Sequence, residues 1–304
     1  TEKDFSTPDE YLNYIDSIRA EKIINAEGLH ILPGIIDDQV HFREPGNTHK
    51  ATIASESKAA VLGGVTSYMD MPNNTPATTT NKGLEEKFRI AKQDSYANYS
   101  FYLGATNENI EEIKSADKTK VCGIKVFMGS STGNMLVNDN EQLNAIFKES
   151  PTLVATHCEQ EDIIKANLEA YKNKFGEDIP FEMHPSIRSR EACIECTKRA
   201  LNLAVANNTQ LHILHISTAD EIELIKEAQK INNKISGEVC VHYMWFNDSD
   251  YSKYGSKVKC NPSIKRESDM LAIRKAVKEG IIKVVATDHA PHLKEEKENK
   301  YLQA

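Results

Sequence analysis

Tryptophan occurs once in the 304 residues, and glycine (14) and proline (10) are sparse, which rules out collagen-like and Gly/Pro-rich disordered chains. No apolar run approaches the roughly eighteen residues that a membrane-crossing helix needs, so no span is expected. Positive charge is in deficit. Lys and Arg number 37 against 45 Asp and Glu, a net charge of −8, which argues against a nucleic-acid-binding face. The first ten residues, TEKDFSTPDE, are polar and acidic and lack the apolar core of a signal peptide. What remains, 39% apolar and 27% charged residues, is ordinary globular chemistry in a chain long enough to bury a large core.

Cysteine is too thin for a disulfide framework: Cys122, Cys158, Cys193, Cys196, Cys240 and Cys260 are spread through the chain. Cys193-x-x-Cys196 has no second pair to complete a four-ligand zinc site. In SREACIECTKRALNLA, Cys193, Cys196, Ala200 and Leu203 recur at helical spacing, so both thiols are placed on a buried helix face. A reducing, cytoplasmic setting is expected. Nucleotide-binding glycine turns are missing too. No Gly-x-Gly-x-x-Gly follows an early strand, and GSSTG (Gly129–Gly133) lacks the Gly-Lys-Ser/Thr of a P-loop. No Gly-x-Ser-x-Gly elbow is present. Trp245, in HYMWFND, reads as a core residue rather than a stacking platform.

What is present is an alternation. Apolar, β-branched runs near 34–41, 65–71, 100–103, 123–128, 152–157, 210–216, 237–242 and 282–287 read as strands. Amphipathic stretches lie between them. ATIASESKAAVLGG stops at Gly63-Gly64, NKGLEEKFRIAKQ and EQEDIIKANLEAYKNK are two-faced, and STADEIELIKEAQKINNK opens on a Ser/Thr-Asp cap signal. Alternating elements predict a parallel sheet, and the 257 residues from Ile35 to Pro291 match the size of a (β/α)8 TIM-type barrel. A doubly wound open sheet is the alternative. Residues 1–34 fall outside the pattern and read as the remnant of an N-terminal accessory segment. Residues 35–304 read as the barrel, truncated at its C-terminal end. HLKEEKENK (292–300) reads as a solvated charge run.

A barrel of this kind carries its active site at the C-terminal strand ends, and the unusual residues fall there. IIDDQVHFREPG ends strand one with Gln39 and His41, two apart and so facing one space. Lys125 lies inside strand four, His157 ends strand five, His215 ends strand six, strand seven runs to His242, and strand eight leads to Asp288. Each alone is ordinary. A strand-end histidine is usually structural, a lysine can snorkel, and an aspartate can cap a helix. Together they describe an imidazole and carboxylate set suited to zinc, manganese or iron. A buried lysine has its pKa depressed, and its neutral amine could react with carbon dioxide to form a carbamate.

Seven stretches occur in the order found in dihydroorotase: LPGIIDDQVHFREPG, GGVTSYMDMPNNTPAT, GIKVFMGSS, THCEQED, LHILHIST, CNPSIKRESD and ATDHAPH. The chain resembles that amidohydrolase-superfamily enzyme over nearly all of residues 31–292. HFREPG with DMPN is shared with allantoinase, and DHAP more widely with cyclic amidases. The resemblance implies metal ligation by His41, Lys125 (carbamylated), His157, His215 and Asp288, with Asp288 also the general base. It implies substrate contacts by Arg43, Asn73, Asn261 and His292. Its expected cofactor is zinc, one ion or two. Its expected activity is the reversible cyclisation of N-carbamoyl-L-aspartate to dihydroorotate in pyrimidine biosynthesis. A small-molecule substrate, a homodimer and association with aspartate carbamoyltransferase are expected, and no nucleic-acid or membrane partner. An arginine fork suits the substrate carboxylate, and asparagine amides suit its ureide edge.

Two departures stand out. Gln39 replaces the family's first histidine of His-x-His, and a neutral amide oxygen is a poorer zinc ligand than imidazole. The family's small accessory β domain is largely missing from this chain. The competing functional readings are allantoinase or another cyclic amidase, and a catalytically silent subunit kept for structure.

Overall fold

The structure is a computed structural model that describes residues 5–18, 24–129 and 134–304. The stretch 130–133, most of GSSTG, lies outside the described residues. The chain divides into two units, Thr1–Gly34 and Ile35–Ala304. The first contains helix α1 (Pro8–Ser17), whose first turn is capped by Thr7 accepting from the Glu10 N–H. Phe5 packs edge-on to Tyr11 at 5.4 Å in the same unit.

The second unit runs β1 (Ile35–Val40), α2 (Ile53–Leu62), β2 (Val65–Asp70), α3 (Asn81–Asp94), β3 (Asn98–Gly104), α4 (Ile110–Lys114), β4 (Gly123–Phe127), α5 (Asn140–Glu149), β5 (Val154–His157) and α6 (Glu161–Phe175). It continues through α7 (His184–Ile187), α8 (Arg190–Asn207), β6 (Leu211–Ile213), α9 (Ala219–Ile231), β7 (Ser236–Cys240), α10 (Tyr251–Tyr254), α11 (Glu267–Lys278), β8 (Val284–Ala286) and α12 (Lys294–Lys297). The eight strands pair in sequence order and all in parallel, β1 to β8. Between β8 and β1 the sheet nearly closes. Val40 bridges His289, the His41 N–H donates to the His289 carbonyl at 2.7 Å, and the Thr287 hydroxyl donates to the buried Asp37 carboxylate at 2.5 Å. The fold is the expected (β/α)8 barrel.

Outward-facing strand residues such as Leu103, Ile124, Val126, Ile213 and Val239 pack against the helices in one continuous core. Inside, the parallel register puts Gly104, Lys125, Ala155 and His212 side by side, and Phe127 beside His157 one layer higher. The cap signal of α9 is realised as a capping box. The Thr218 hydroxyl accepts from the Glu221 N–H while Glu221 reaches back to the Thr218 N–H. Cys193 and Cys196 are fully buried on α8, as their spacing predicts, and all six thiols are free.

One residue differs from expectation. Trp245 is 73% exposed, because the chain leaves β7 through a short 3₁₀ turn, Val241–Met244, that turns Tyr243 inward instead. The Tyr243 hydroxyl donates to the Pro262 carbonyl at 2.6 Å. On α3, Lys87 is completely buried. Its ammonium meets Asp70 at 2.6 Å and donates to the Met71 carbonyl and Asn74 Oδ1, each at 2.8 Å. Asp70 in turn accepts from the Phe42 N–H at 2.8 Å. This buried ion pair therefore fixes both loops that leave β1 and β2, where site residues His41, Arg43 and Asn73 lie.

Candidate active site

Site residues collect where strands stop, and the backbone shows why they stop there. Four described non-glycine residues have positive φ: Arg43 (67°), Asn208 (53°), His215 (39°) and Asp288 (51°). Asn208 caps α8; the other three belong to the predicted site. Left-handed backbone ends the ladder, so β6 and β8 are shorter than their apolar runs suggest. Such strain persists only where surrounding structure enforces it, and it concentrates at functional sites. In the turn after Arg43, Gly46 has φ +90°, and a Cβ there would sit 1.7 Å from the Thr75 carbonyl oxygen. Only glycine fits that approach.

Asp288 is the centre of one half. His41 Nε2 lies 3.0 Å from its Oδ1, and Gln39 donates to the same oxygen through Nε2 at 3.1 Å. Gln39 and His41 thus share a space, as their spacing predicts. The Gln39 oxygen faces away, accepting from Cys240 Sγ at 3.7 Å. His41 Nδ1 donates to Asn73 Oδ1 at 2.7 Å, so Asn73, expected at the substrate, here orients a histidine. Burial would raise the Asp288 pKa, but the hydrogen bond from His41 reverses that and holds it well below the usual carboxylate range.

The second half is an imidazole pair. His157 Nδ1 and His215 Nε2 are 2.9 Å apart. His157 donates through Nε2 to Glu159 Oε2 at 2.8 Å. His215 Nδ1 and His242 Nε2 have no partner among the described residues. Burial lowers the pKa of His157, His215 and His242, keeping the rings neutral near neutral pH. Lys125 is buried between the halves, its ammonium 4.5 Å from the Phe127 ring centroid. Burial outweighs the attraction of Asp288 and Glu238 and brings its pKa down to about 8.

The two halves suit a cation. A cation between His41 and Asp288 would replace the His41 Nε2 proton: with the Nδ1–H still donated to Asn73 Oδ1, the Nε2 lone pair and Asp288 Oδ1 then point into one space. With Glu159 taking the His157 Nε2 proton, the Nδ1 lone pair points at His215. Lone pairs so close need a proton or a cation between them, and imidazole with carboxylate suits zinc, manganese or iron. Ligand atoms of Cys240, His242 and Asp288 also lie within 4.8 Å of one another.

Arg43 projects beside this space. Its Nε donates to the Pro291 carbonyl at 2.9 Å and Nη2 to His292 Nε2 at 3.1 Å. Burial, and then Arg43 itself, hold the His292 pKa down at about 4, so the ring stays a neutral acceptor. Asn261 accepts from Arg188 Nε at 2.6 Å. Sequence reading missed Glu159, Arg188, His212 and Glu238. Glu159 carried a usable signal, since His157-x-Glu159 repeats the two-residue spacing that links Gln39 and His41.

The amidohydrolase family model matches residues 30–303. A dihydroorotase from Methanosphaera stadtmanae is 34% identical over 269 residues, 88% of this chain and 60% of that protein. An allantoinase from Bacillus velezensis is 33% identical over 277 residues, 90% of this chain and 61% of that protein. The solved L-hydantoinase (dihydropyrimidinase) of Arthrobacter aurescens matches with a TM-score of 0.88 at 26% identity, covering 93% of this chain and 63% of its own. The chain thus spans about three-fifths of the length of these relatives. No helix among the described residues is long and apolar enough to cross a membrane. A family model that matches almost the whole chain, together with relatives of three different names, places this chain in the amidohydrolase family.

Proposed function

We propose that the barrel mouth opens and closes a cyclic amide, with dihydroorotate and N-carbamoyl-L-aspartate as the pair. The observation that carries this reading is Asp288, a buried carboxylate that accepts from His41 at 3.0 Å and from Gln39 at 3.1 Å and lies close enough to Arg43 to attract it. In ring opening, water adds across the ring C–N bond. Asp288 takes the water's proton and delivers it to the departing ring nitrogen. Ring closure is the reverse and releases water. His41 and Gln39 fix the Asp288 carboxylate at Oδ1. Arg43 is held at Nε and Nη2, and its remaining Nη1 offers a charged donor to the substrate carboxylate. Asn261 and His292 border that side of the site.

A divalent ion such as zinc, held by His41, His157, His215 and Asp288, would polarise the ring carbonyl and acidify the water. Lys125, with its pKa near 8, keeps an uncharged fraction at neutral pH that can add to carbon dioxide with loss of one proton. Gln39 turns an N–H toward Asp288, which favours one ion over two. Allantoinase or hydantoinase activity is the second reading, favoured by the near-equal identity to relatives of both names. The test is turnover of dihydroorotate, allantoin and hydantoin by zinc-loaded protein. Dihydroorotate hydrolysis is expected. Turnover of allantoin or hydantoin alone would overturn the choice, and no turnover with zinc bound would indicate a silent subunit.

A further inference from the structure

Glu159 is a fully buried carboxylate that joins His157 to the Arg188–Asn261 side of the site. Its Oε2 accepts from His157 Nε2 at 2.8 Å and from Arg188 Nη1 at 3.0 Å. Arg188 continues through Nε to Asn261 Oδ1 at 2.6 Å. The Arg188 guanidinium, 3.0 Å away, supplies the countercharge for this buried carboxylate. Its other oxygen, Oε1, has no partner among the described residues, so the hydrogen bonding of the carboxylate is spent on these two neighbours.

The backbone holds Glu159 in place as firmly as its side chain is held. A Cβ on Gly129, just past β4, would sit 1.8 Å from the Glu159 carbonyl oxygen, so the strand-four exit closes directly onto this residue. On the next residue, the Gln160 N–H donates to the Ala192 carbonyl of α8 at 2.8 Å. Arg188 is anchored at its own carbonyl, which accepts from the Ser263 hydroxyl at 2.8 Å. Ser263 lies two residues past Asn261, so one loop holds both the backbone carbonyl of Arg188 and the Nε of its guanidinium.

We infer that Glu159 and Arg188 are a positioning pair. Glu159 fixes the His157 tautomer with Nδ1 free for a metal ion, and Arg188 transmits the same anchor to Asn261, so the metal-binding and substrate-binding sides are set together. A ligating histidine whose second N–H is held by a carboxylate is oriented and made more basic, and loss of such a partner costs roughly 10- to 100-fold in metal affinity. The inference rests on the proposed reading that His157 binds metal and Asn261 borders substrate.

The test measures zinc affinity of the whole chain by competition with a chromogenic chelator, alongside KM and kcat for dihydroorotate. Glu159→Gln is expected to weaken zinc binding roughly 10- to 100-fold. Glu159→Asp, which keeps the charge but draws it back, should recover part of that loss. If Glu159→Gln does not fold, Glu159→Asp alone decides the matter, and unchanged affinity there overturns the inference. Arg188→Lys keeps a charge beside Glu159 but cannot span to Asn261. It should hold zinc within about threefold of wild type and raise KM more than it lowers kcat, because a point charge replaces a fork. Wild-type zinc affinity in Glu159→Gln would overturn the pair's metal role, and an unchanged KM in Arg188→Lys its link to substrate. If dihydroorotate is not the substrate, no variant turns it over, but the zinc affinities still report on Glu159.

Discussion

Asp288 at the mouth of the barrel and Asp38 on its floor are driven to opposite charge states by their neighbours. Asp288 faces His41, His215 and His242 and is held far down as an anion. Asp38 lies within 4.8 Å of Glu238, and burial together with that second carboxylate lifts Asp38 to about 8. Glu238 is raised to about 8 too, mainly by burial. His212 donates to Glu238 Oε2 at 3.0 Å, and burial keeps it neutral, so it brings no positive charge to the two carboxylates. The same residue types therefore make a base at one level and a proton-sharing acid pair below it. Composition does not distinguish them; the count of imidazoles against carboxylates does.

The strongest way to break this comparison is Asp288→Asn. It should lower kcat by roughly 10²- to 10⁴-fold, the range of a lost general base, with far-UV circular dichroism unchanged. Activity within a few-fold of wild type would move the base elsewhere.

Gln39→His sharpens the mouth. It replaces an amide N–H aimed at Asp288 with an imidazole nitrogen, and zinc binding should tighten on the order of tenfold or bound zinc per chain should rise. Unchanged stoichiometry and affinity would mean that position 39 does not face the ion.

Asp38→Asn tests the floor. Carboxylates with raised folded-state pKa bind more protons folded than unfolded, so their contribution is fully present below about pH 4 and is lost as pH rises toward 8. Metal-free wild type should therefore lose stability relative to Asp38→Asn between pH 5 and 8.5, by up to about 1.4 kcal/mol per pH unit for each linked proton. Urea unfolding at several pH values measures the difference. A constant gap across that range would remove the shared proton.

The smallest of these effects is expected from Asn73→Asp. It still accepts the His41 Nδ1 proton and should leave zinc affinity within about threefold, since carboxylates and amide oxygens both serve as second partners of a ligating histidine. A large loss would show that the Asn73 N–H groups matter, which is the substrate-holding role expected from its motif.

All eight strands were legible because β-branched runs alternate with capped helices, and the parallel register then carries Lys125, His157 and the strand-end residues to one end. Strand ends were less legible. His215 and Asp288 take left-handed backbone, which no propensity favours, and each cuts its strand short. Charged residues in helical or acidic stretches were the hardest to read. Lys87 looks like a solvated lysine until Asp70 meets it, and Glu159 looks like part of an acidic helix start in THCEQED. The charged partners Asp70 and Arg188 lie 17 and 29 residues away, a tertiary fact that local pattern does not carry, whereas the His157-x-Glu159 spacing is local.

The most direct measurement is an anomalous difference map, collected at the zinc edge, from crystals of the zinc-loaded chain. The account predicts a peak at the mouth, within bonding distance of His157 Nδ1 and His215 Nε2. A peak among Asp38, His212 and Glu238 instead, or none at the mouth, would contradict it.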